Sequence, residues 1–177
     1  MERFSIRPLR TDEWALLKEL RMQALEDSPD AFAQTIDEIR DEPEAYWQQL
    51  AMNLRFPHHA FFVAFVHDKP AGIAYGRLEA EERTVAHVGS MWVSPTVRGT
   101  GIGKKLLERV MAWAVEQGAT RIKLWVTVGN SPATKLYESS GFAPTGATDV
   151  LRVSSPLQII EMARGLFLRA PKPLPSG

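Results

Sequence analysis

Three glycines at positions 99, 101 and 103 alternate with other residues between an apolar run and a helical pattern. The apolar run, residues 88–93, predicts a buried strand, and the apolar positions after Gly101 recur at helical spacing. Glycine lets the backbone approach a ligand closely and adopt a positive φ. A helix that begins at such a turn directs its free N–H groups and the positive end of its dipole into the turn. The segment therefore predicts an anion site, for which phosphate is the usual ligand.

Two common phosphate motifs do not fit this glycine spacing. A P-loop requires glycine where Arg98 stands and serine or threonine where Lys105 stands. A dinucleotide-binding fingerprint requires its third glycine at Lys104, and it requires an acidic residue at the end of the next strand, where residues 121–128 contain none. A strand-to-helix turn that holds no ligand is the alternative that the glycines alone leave open.

Arg98, Gly101 and Gly103 instead match the fixed positions of the pattern R/Q-x-x-G-x-G/A. In this they resemble the pyrophosphate loop of the GNAT superfamily of acyl-CoA-dependent N-acetyltransferases. A second match follows after one predicted helix and one predicted strand, at Asn130, Ala133, Tyr137, Gly141 and Phe142. It resembles the superfamily's other signature, Asn-x-x-Ala-x-x-x-Tyr-x-x-x-Gly-Phe. The resemblance is best over about residues 71–142 and extends over residues 4–167.

The resemblance implies transfer of an acetyl group from acetyl-CoA to a primary amine, directly within a ternary complex. The backbone at the end of the first central strand would pair with the pantetheine arm, Asn130 would reach the same arm, and the glycine loop would cradle the pyrophosphate. The cofactor-binding residues expected from the resemblance are Met91, Trp92, Val93, Arg98, Gly99, Thr100, Gly101, Ile102, Gly103, Lys104, Asn130, Ala133 and Tyr137. For Lys104 and Lys105, phosphate binding and simple solvation of a helix surface remain equal alternatives.

Acyl transfer requires a neutral amine, a polarised carbonyl and a proton for the leaving thiolate. The resemblance implies that Tyr137 supplies this proton. For the base, His87 stands in register with a glutamate that some members carry, and its ordinary pKa is near neutrality. The alternatives are Glu79, Glu81, Glu82 and bulk water. Strand alternation places His87 on one face with Gly89, Met91 and Val93 and the other residues of the strand on the opposite face, unless a bulge near Gly89-Ser90 changes this arrangement.

The segment between the first two predicted helices would border the acceptor site in proteins that resemble this one. Asp30, Phe32 and Tyr46 are therefore candidate substrate contacts, although ordinary packing or solvation is the better explanation of each of them. Two further classes of function stay open, namely acetylation of a protein N-terminus or lysine and a non-catalytic domain that senses acyl-CoA.

Composition restricts the chemistry further. The 177 residues contain no cysteine, which excludes thiolate catalysis, disulfides and cysteine-ligated metals. The four histidines show no metal-ligand spacing, so no metal is expected. Lys+Arg and Asp+Glu both number 21, and this balance gives no support to a nucleic-acid or anionic-membrane partner. Without a signal-peptide segment or a membrane-spanning apolar run, a cytoplasmic enzyme is predicted.

The elements that must position these residues follow from the hydrophobic pattern. Strands are predicted at 4–9, 60–67, 71–78, 84–93, 121–128, 142–145 and 159–167, with a polar connection at 146–156. Helices are predicted after Thr11 as a cap, from Pro43 as a first residue, after the glycine loop as far as Gly118, and over 130–140. The strand at 121–128 follows a helical crossover and should run parallel to the strand at 84–93.

The predicted fold class is α+β (mixed α/β), with a GNAT-like, mostly antiparallel mixed sheet that contains one parallel splayed pair and is flanked by helices. The splay is an implication of the resemblance. Residues 1–169 are expected to form one N-acetyltransferase domain, and residues 170–177, with three prolines, a disordered tail. The sequence leaves the oligomeric state open, and homodimers are common in proteins that resemble this one.

Overall fold

The computed structural model describes residues 4–54 and 58–167 of the chain. Within these ranges seven strands form a single sheet, and four α-helices cover its two faces. The strands are β1 (Phe4–Pro8), β2 (His59–Val66), β3 (Lys69–Leu78), β4 (Val85–Val93), β5 (Arg121–Thr127), β6 (Ala143–Val150) and β7 (Gln158–Gly165). The helices are α1 (Trp14–Asp27), α2 (Glu44–Asn53), α3 (Ile102–Glu116) and α4 (Ser131–Ser139).

The sheet has the strand order β1-β2-β3-β4-β5-β7-β6. All neighbouring strands are antiparallel except β4 and β5, which are parallel because the helix α3 connects them. The predicted fold class and the predicted parallel pair are therefore confirmed.

The parallel pair separates halfway along its length. Pairing between β4 and β5 runs from Val85 opposite Arg121 to Val88 opposite Leu124 and then stops. Both strands continue beyond this point, β4 to Val93 and β5 to Thr127, so a gap opens between their carboxyl ends. Beyond Val88, the edge of β4 that faces β5 has no strand partner in the part of the chain that the structure describes.

Each face of the sheet has its own apolar core. The apolar stripe of α3 packs on one face, where Trp113 is fully buried against Gly76 of β3. The helices α1 and α2 pack on the other face, where their fully buried residues include Leu17, Leu20 and Trp47. Because helices cover both faces, central strands such as β2 are buried on both sides and lack polar alternation.

A β-bulge in β4 changes which side chains face which core. Tyr75 lies opposite Gly89, whereas Ile73 lies opposite Trp92, so β4 carries one extra residue between these pairs. Ser90 within the bulge has φ 49°, in the left-handed region that serine seldom adopts. Simple alternation from His87 to Val93 was therefore wrong, and the alternative of a bulge near Gly89-Ser90 is confirmed.

After the bulge, Met91 and Val93 pack toward the core of α3, the same side as Val88. Trp92 packs toward α1 and α2. His87 precedes the bulge and lies on the face opposite to Val88, which is the face that α1 and α2 cover.

The starts of the first two helices differ from the predictions. Thr11 does not cap α1, which begins at Trp14 with no side-chain cap. The nearby Glu13 instead accepts two hydrogen bonds from Arg7, at 2.8 and 2.7 Å, and one from the Arg10 N–H, which hold the chain in a turn until residue 13. Helix α2 begins one residue later than predicted, with Pro43 as its N-cap.

The largest difference concerns β6, which was predicted to end at residue 145 and continues to Val150. Residues 146–150 of the predicted polar connection thus belong to an edge strand, which is interrupted by a register shift between Pro144 and Thr148 that contains Gly146 at φ 92°. Every residue of β6 is exposed, so no apolar alternation marks the strand in the sequence. The proposed tail at 170–177 lies outside the described residues. Among the described helices, none is long and apolar enough to cross a membrane.

Candidate active site

The glycine loop joins β4 to α3 and adopts the backbone conformation that its glycines permit. Gly99 and Gly101 have φ 79° and 89°, in the left-handed region, and Gly101 is the N-cap of α3. Gly103 lies within the first turn of the helix and has no positive φ. No side chain caps this end of α3, so its first N–H groups point into the loop.

Arg98, at the start of the loop, is held by two contacts. Its Nε donates to the carbonyl oxygen of Val93 at 2.9 Å, and its Nη2 forms an ion pair with Asp27 at the end of α1. Asp27 also accepts from the Trp92 indole at 2.9 Å and from Ser28. Burial raises the pKa of Asp27, but the hydrogen bonds from Ser28, Trp92 and Arg98 outweigh it and hold the pKa below its ordinary value. Asp27 therefore connects α1 to the glycine loop.

A cavity of about 720 Å³ opens beside this loop, between the carboxyl end of β4 and helix α4. We call it the glycine-loop cavity. Of the predicted cofactor-binding residues, it is lined by Met91, Trp92, Val93, Arg98, Gly99, Gly101, Ile102, Gly103, Lys104, Asn130, Ala133 and Tyr137. Thr100 does not line it, because its hydroxyl donates to the carbonyl of Val97 at 2.7 Å. Lys105 turns away and pairs with Glu108 at 2.8 Å, whereas Lys104 lines the cavity.

A second cavity of about 420 Å³ lies in the gap between β4 and β5, on the side of α1. We call it the arginine cavity, because Arg21 and Arg77 line it. Its other polar lining includes Gln34, Tyr75 and His87, and its apolar lining includes Phe32, Leu124, Val126, Leu151 and Ile159. Of the candidate substrate contacts, Phe32 lines this cavity, and Asp30 and Tyr46 do not.

The two cavities share five lining residues, Ala31, Met91, Asn130, Ala133 and Tyr137. A ligand in one cavity can therefore meet a ligand in the other across the gap.

The short segment that covers this junction is tied down at both ends. The carbonyl of Asp30, in a 3-10 turn at Pro29–Ala31, accepts from the Thr127 hydroxyl at 2.6 Å. The carbonyl of Phe32 accepts from Arg152 at 2.8 Å. These bonds fix the segment against the end of β5 and the loop after β6, so it covers the junction of the two cavities in a defined position.

Tyr137 stands where the two cavities meet. It lies on α4, is only 6% exposed, and packs against Phe142 with ring centroids 6.1 Å apart. Burial raises the pKa of Tyr137 to about 12, so the phenol keeps its proton throughout the neutral range. Its hydroxyl makes no hydrogen bond to any residue in the described ranges and remains available to a ligand.

Asn130 is the N-cap of α4, and its side-chain oxygen accepts from the N–H of Ala133 at 3.4 Å. It also lines both cavities. The predicted hydrogen bond from Asn130 to a ligand thus remains a prediction, while its capping role is visible in the structure.

His87 lines the arginine cavity and is paired with Glu79. The distance from His87 Nε2 to Glu79 Oε1 is 2.5 Å, and Lys123 Nζ lies 3.8 Å from the same carboxylate oxygen. Burial lowers the pKa of His87, and the bond to Glu79 opposes this only in part. The bond to His87 in turn lowers the pKa of Glu79. With the ring neutral, Nε2–H donates to Glu79 and Nδ1 keeps its lone pair.

The other two candidate bases lie elsewhere. Glu81 and Glu82 are exposed in the connection between β3 and β4 and line neither cavity. Glu79 itself is not part of either lining, and it touches the arginine cavity only through its contact with His87.

Sequence patterns did not indicate Arg21, Gln34, Tyr75 or Arg77 as site residues. Arg21 lies in the middle of α1, a helix whose other features predict only core packing. Arg21 donates to the bulge residue Ser90 at 3.0 Å. It could therefore have been identified only from the bulge in β4 together with the packing of α1 on the face of the sheet where Ser90 lies. That combination exists only in three dimensions.

The comparisons with known proteins agree with this geometry. The model of the acetyltransferase (GNAT) family matches residues 17–142. An uncharacterized N-acetyltransferase of Methanocaldococcus jannaschii is 35% identical over 86 residues, which are 46% of this chain and 38% of that protein. Human N-acetylaspartate synthetase is 34% identical over 113 residues, which are 64% of this chain and 36% of that protein. The chain thus spans less than two fifths of the length of these curated relatives.

A solved structure from Salmonella typhimurium, described with its cofactor acetyl-CoA, has the same fold. Its TM-score is 0.76 at 20% identity, and the alignment covers 95% of this chain and 96% of that one. The family model covers most of the chain and includes both signatures. The chain therefore belongs to the acetyltransferase (GNAT) family of acyltransferase enzymes.

Proposed function

We propose that the protein transfers an acetyl group from acetyl-CoA, bound in the glycine-loop cavity, to a primary amine bound in the arginine cavity. The observation that carries this proposal is the junction of the two cavities between the end of β4 and helix α4, with Tyr137 on the boundary. Donor and acceptor bound in this way would be in contact without any transfer to the protein. The absence of cysteine from the chain agrees with direct transfer in a ternary complex.

The donor's polar groups have complementary partners in the glycine-loop cavity. The uncapped start of α3 offers N–H groups and the positive end of the helix dipole to the pyrophosphate, and Lys104 adds a charge. The unpaired edge of β4 beyond Val88 offers backbone groups to the pantetheine arm. Since the Val93 carbonyl already accepts from Arg98, the groups of Met91 and Trp92 are the better candidates for that pairing.

The chemical step needs one proton acceptor and one proton donor. The amine nitrogen forms the new C–N bond while the C–S bond of the thioester breaks. His87 accepts the proton that the amine loses, at Nδ1, and Tyr137 gives its hydroxyl proton to the departing thiolate sulfur. The low pKa of His87 keeps the base neutral, and the high pKa of Tyr137 keeps the acid protonated, so both groups enter the reaction in the required state.

The test is a screen of primary amines with acetyl-CoA that records both thiol release and the mass of the acetylated product. We expect thiol release that depends on the amine and matches the acetylated amine in amount. Acetylation of peptide N-termini or lysines alone would replace the small acceptor by a protein acceptor. Tight CoA binding without thiol release for any amine would contradict the proposal and favour a domain that senses acyl-CoA.

A further inference from the structure

The charged side chains that line the arginine cavity are all basic. The guanidinium groups of Arg21 and Arg77 contribute to its wall beside the neutral His87, and no aspartate or glutamate of the described residues does so. A cavity that receives a cationic amine would gain from an acidic wall. The opposite arrangement indicates that the acceptor brings negative charge of its own, in addition to the amine that reacts.

Arg21 is held in this wall by contacts with three side chains. Its Nη1 donates to Ser90 Oγ at 3.0 Å, its Nη2 donates to Gln34 Oε1 at 2.8 Å, and its Cζ lies 5.5 Å from the centre of the Phe32 ring. All of these partners are neutral, and Arg21 forms no ion pair within residues 4–54 and 58–167. Burial lowers the pKa of Arg21. A partly buried guanidinium without a counterion is costly, and an anionic ligand would remove that cost.

Three other arginines of the described residues show the contrast. Arg98 pairs with Asp27, and Arg7 pairs with Glu13 at 2.7 Å. Arg152, which also contacts Phe32, lies 3.8 Å from Asp30. These arginines have a carboxylate from the chain itself, whereas Arg21 lines the arginine cavity and has no carboxylate partner among the described residues.

The position of Arg21 suits an anion close to the reacting amine. Its partner Ser90 is next in sequence to Met91, which belongs to both cavities, and His87 lines the same cavity three residues earlier. Arg77 lies directly opposite His87 on the neighbouring strand. A compact molecule could thus contact the guanidinium with one group while its amine reaches His87 and the junction.

We propose that the acceptor is a small amine that carries a carboxylate, of the free amino acid type, and that Arg21 determines this specificity by binding the carboxylate. The proposal rests on the function proposed above. The planar fork of a guanidinium matches the two oxygens of a carboxylate. The apolar remainder of the wall, with Leu124, Val126 and Ile159, favours an uncharged side chain. The cavity volume is within the range of roughly 300–1,000 Å³ that is common for small-molecule sites.

The test compares leucine with leucinamide, which has the same side chain and amine but a neutral amide in place of the carboxylate. We expect wild type to prefer leucine in kcat/KM, and Arg21→Gln to reduce that preference by about 10- to 100-fold, since hydrogen bonds to a charged group are lost. The amide also lowers the pKa of the amine, so the deciding quantity is the change in the ratio caused by the substitution. Arg121→Gln, an exposed arginine outside both cavities, should leave the ratio unchanged.

A purely structural role of Arg21 in supporting the bulge would lower the rates with both acceptors and leave their ratio intact, and this result would overturn the proposal. So would turnover of leucine-containing dipeptides in preference to leucine. If Arg21→Gln does not fold, Arg21→Lys keeps the charge without the fork and should show a smaller change in the same direction.

A binding measurement separates this proposal from the proposed function. The hydroxy acid that corresponds to leucine has the carboxylate and side chain but no amine to react. We expect it to bind the wild-type protein in the presence of CoA, by calorimetry, and to bind Arg21→Gln at least about tenfold more weakly. Binding of the hydroxy acid without acetylation of any amine would contradict the proposed function alone. Absence of hydroxy acid binding in the wild type would overturn the carboxylate proposal alone.

Discussion

Replacement of Gly103 by alanine should stabilise the fold slightly and weaken CoA binding at the same time. Gly103 is in the first turn of α3 and has no left-handed φ. A Cβ atom there would lie 3.5 Å from Leu136 Cδ2 and 3.6 Å from Val93 Cγ2, which are ordinary contacts. The protein therefore has room for the methyl group, and glycine within a helix is less stable than alanine by roughly 0.5–1 kcal/mol.

The expected loss of CoA affinity arises because this methyl group would stand in the glycine-loop cavity. Leu136 and Val93, its nearest neighbours, both line that cavity. If the pyrophosphate approaches the backbone of α3 here, the methyl group would remove at least one hydrogen bond to a charged group. Such a bond contributes roughly 1.5–3 kcal/mol, which corresponds to a Kd about 10- to 150-fold higher.

The assay is calorimetry with CoA combined with urea denaturation of the free protein. We expect a free energy of unfolding equal to or above that of wild type and a CoA affinity at least about tenfold lower. Acetyl-pantetheine, a donor that lacks the pyrophosphate, serves as the control, and its kcat/KM should be nearly unchanged. Equal CoA affinity in Gly103→Ala and wild type would refute the phosphate assignment. Gly101→Val is a weaker test, because φ 89° at this position strains the fold of any variant.

Three further predictions concern single side chains. Lys104→Met should raise the KM for acetyl-CoA, because Lys104 lines the glycine-loop cavity. Lys105→Met affects only the pair with Glu108 and should leave this KM unchanged. Equal effects of the two substitutions in steady-state kinetics would contradict this difference. Tyr137→Phe should lower kcat by about 10²–10⁴-fold with the fold intact by circular dichroism, and full activity would exclude Tyr137 as the acid. In the wild type the rate should rise with pH through a pKa below the ordinary 6.5, because burial disfavours the charged imidazole of His87. The pH–rate profile of His87→Gln should lack this rise. Superimposable pH–rate profiles of the two proteins would move the base role to water.

The sheet could be predicted from the sequence where hydrophobic pattern and connection length agree. Residues 60–78 are apolar enough to form buried strands in almost any arrangement, and the crossover through α3 requires a parallel partner for β4. The edge strand β6 has neither signal, since all its residues are exposed and Gly146 interrupts it. Its pairing depends on β7 alone and could not be predicted from its own residues.

The backbone conformation of the glycine loop was predictable because it depends directly on the residue types in the loop. Gly99 and Gly101 adopt left-handed conformations that glycine tolerates best, so residue type and geometry are directly connected. The family assignment that these residues suggested is confirmed by the family model. The roles of the individual side chains in binding and catalysis stay predictions.

The wall of the arginine cavity could not be predicted, because its members come together only through tertiary structure. Arg21 reaches Ser90 across 69 positions of the chain, and the bulge at Ser90 determines which residues of β4 face it. Strand alternation gave the wrong face for Met91 and Val93, since one extra residue reverses every side chain beyond it. The pairing of His87 with Glu79, eight positions away, likewise depends on the register of β3 and β4.

The most direct test of direct transfer between the two cavities is the pattern of initial rates when acetyl-CoA and the amine are varied together. Both substrates must be bound at once if they meet at Tyr137, so double-reciprocal lines should intersect, and intact-protein mass spectrometry should find no acetylated enzyme after incubation with acetyl-CoA alone. Parallel lines, together with an acetyl group on the protein that an added amine removes, would contradict direct transfer.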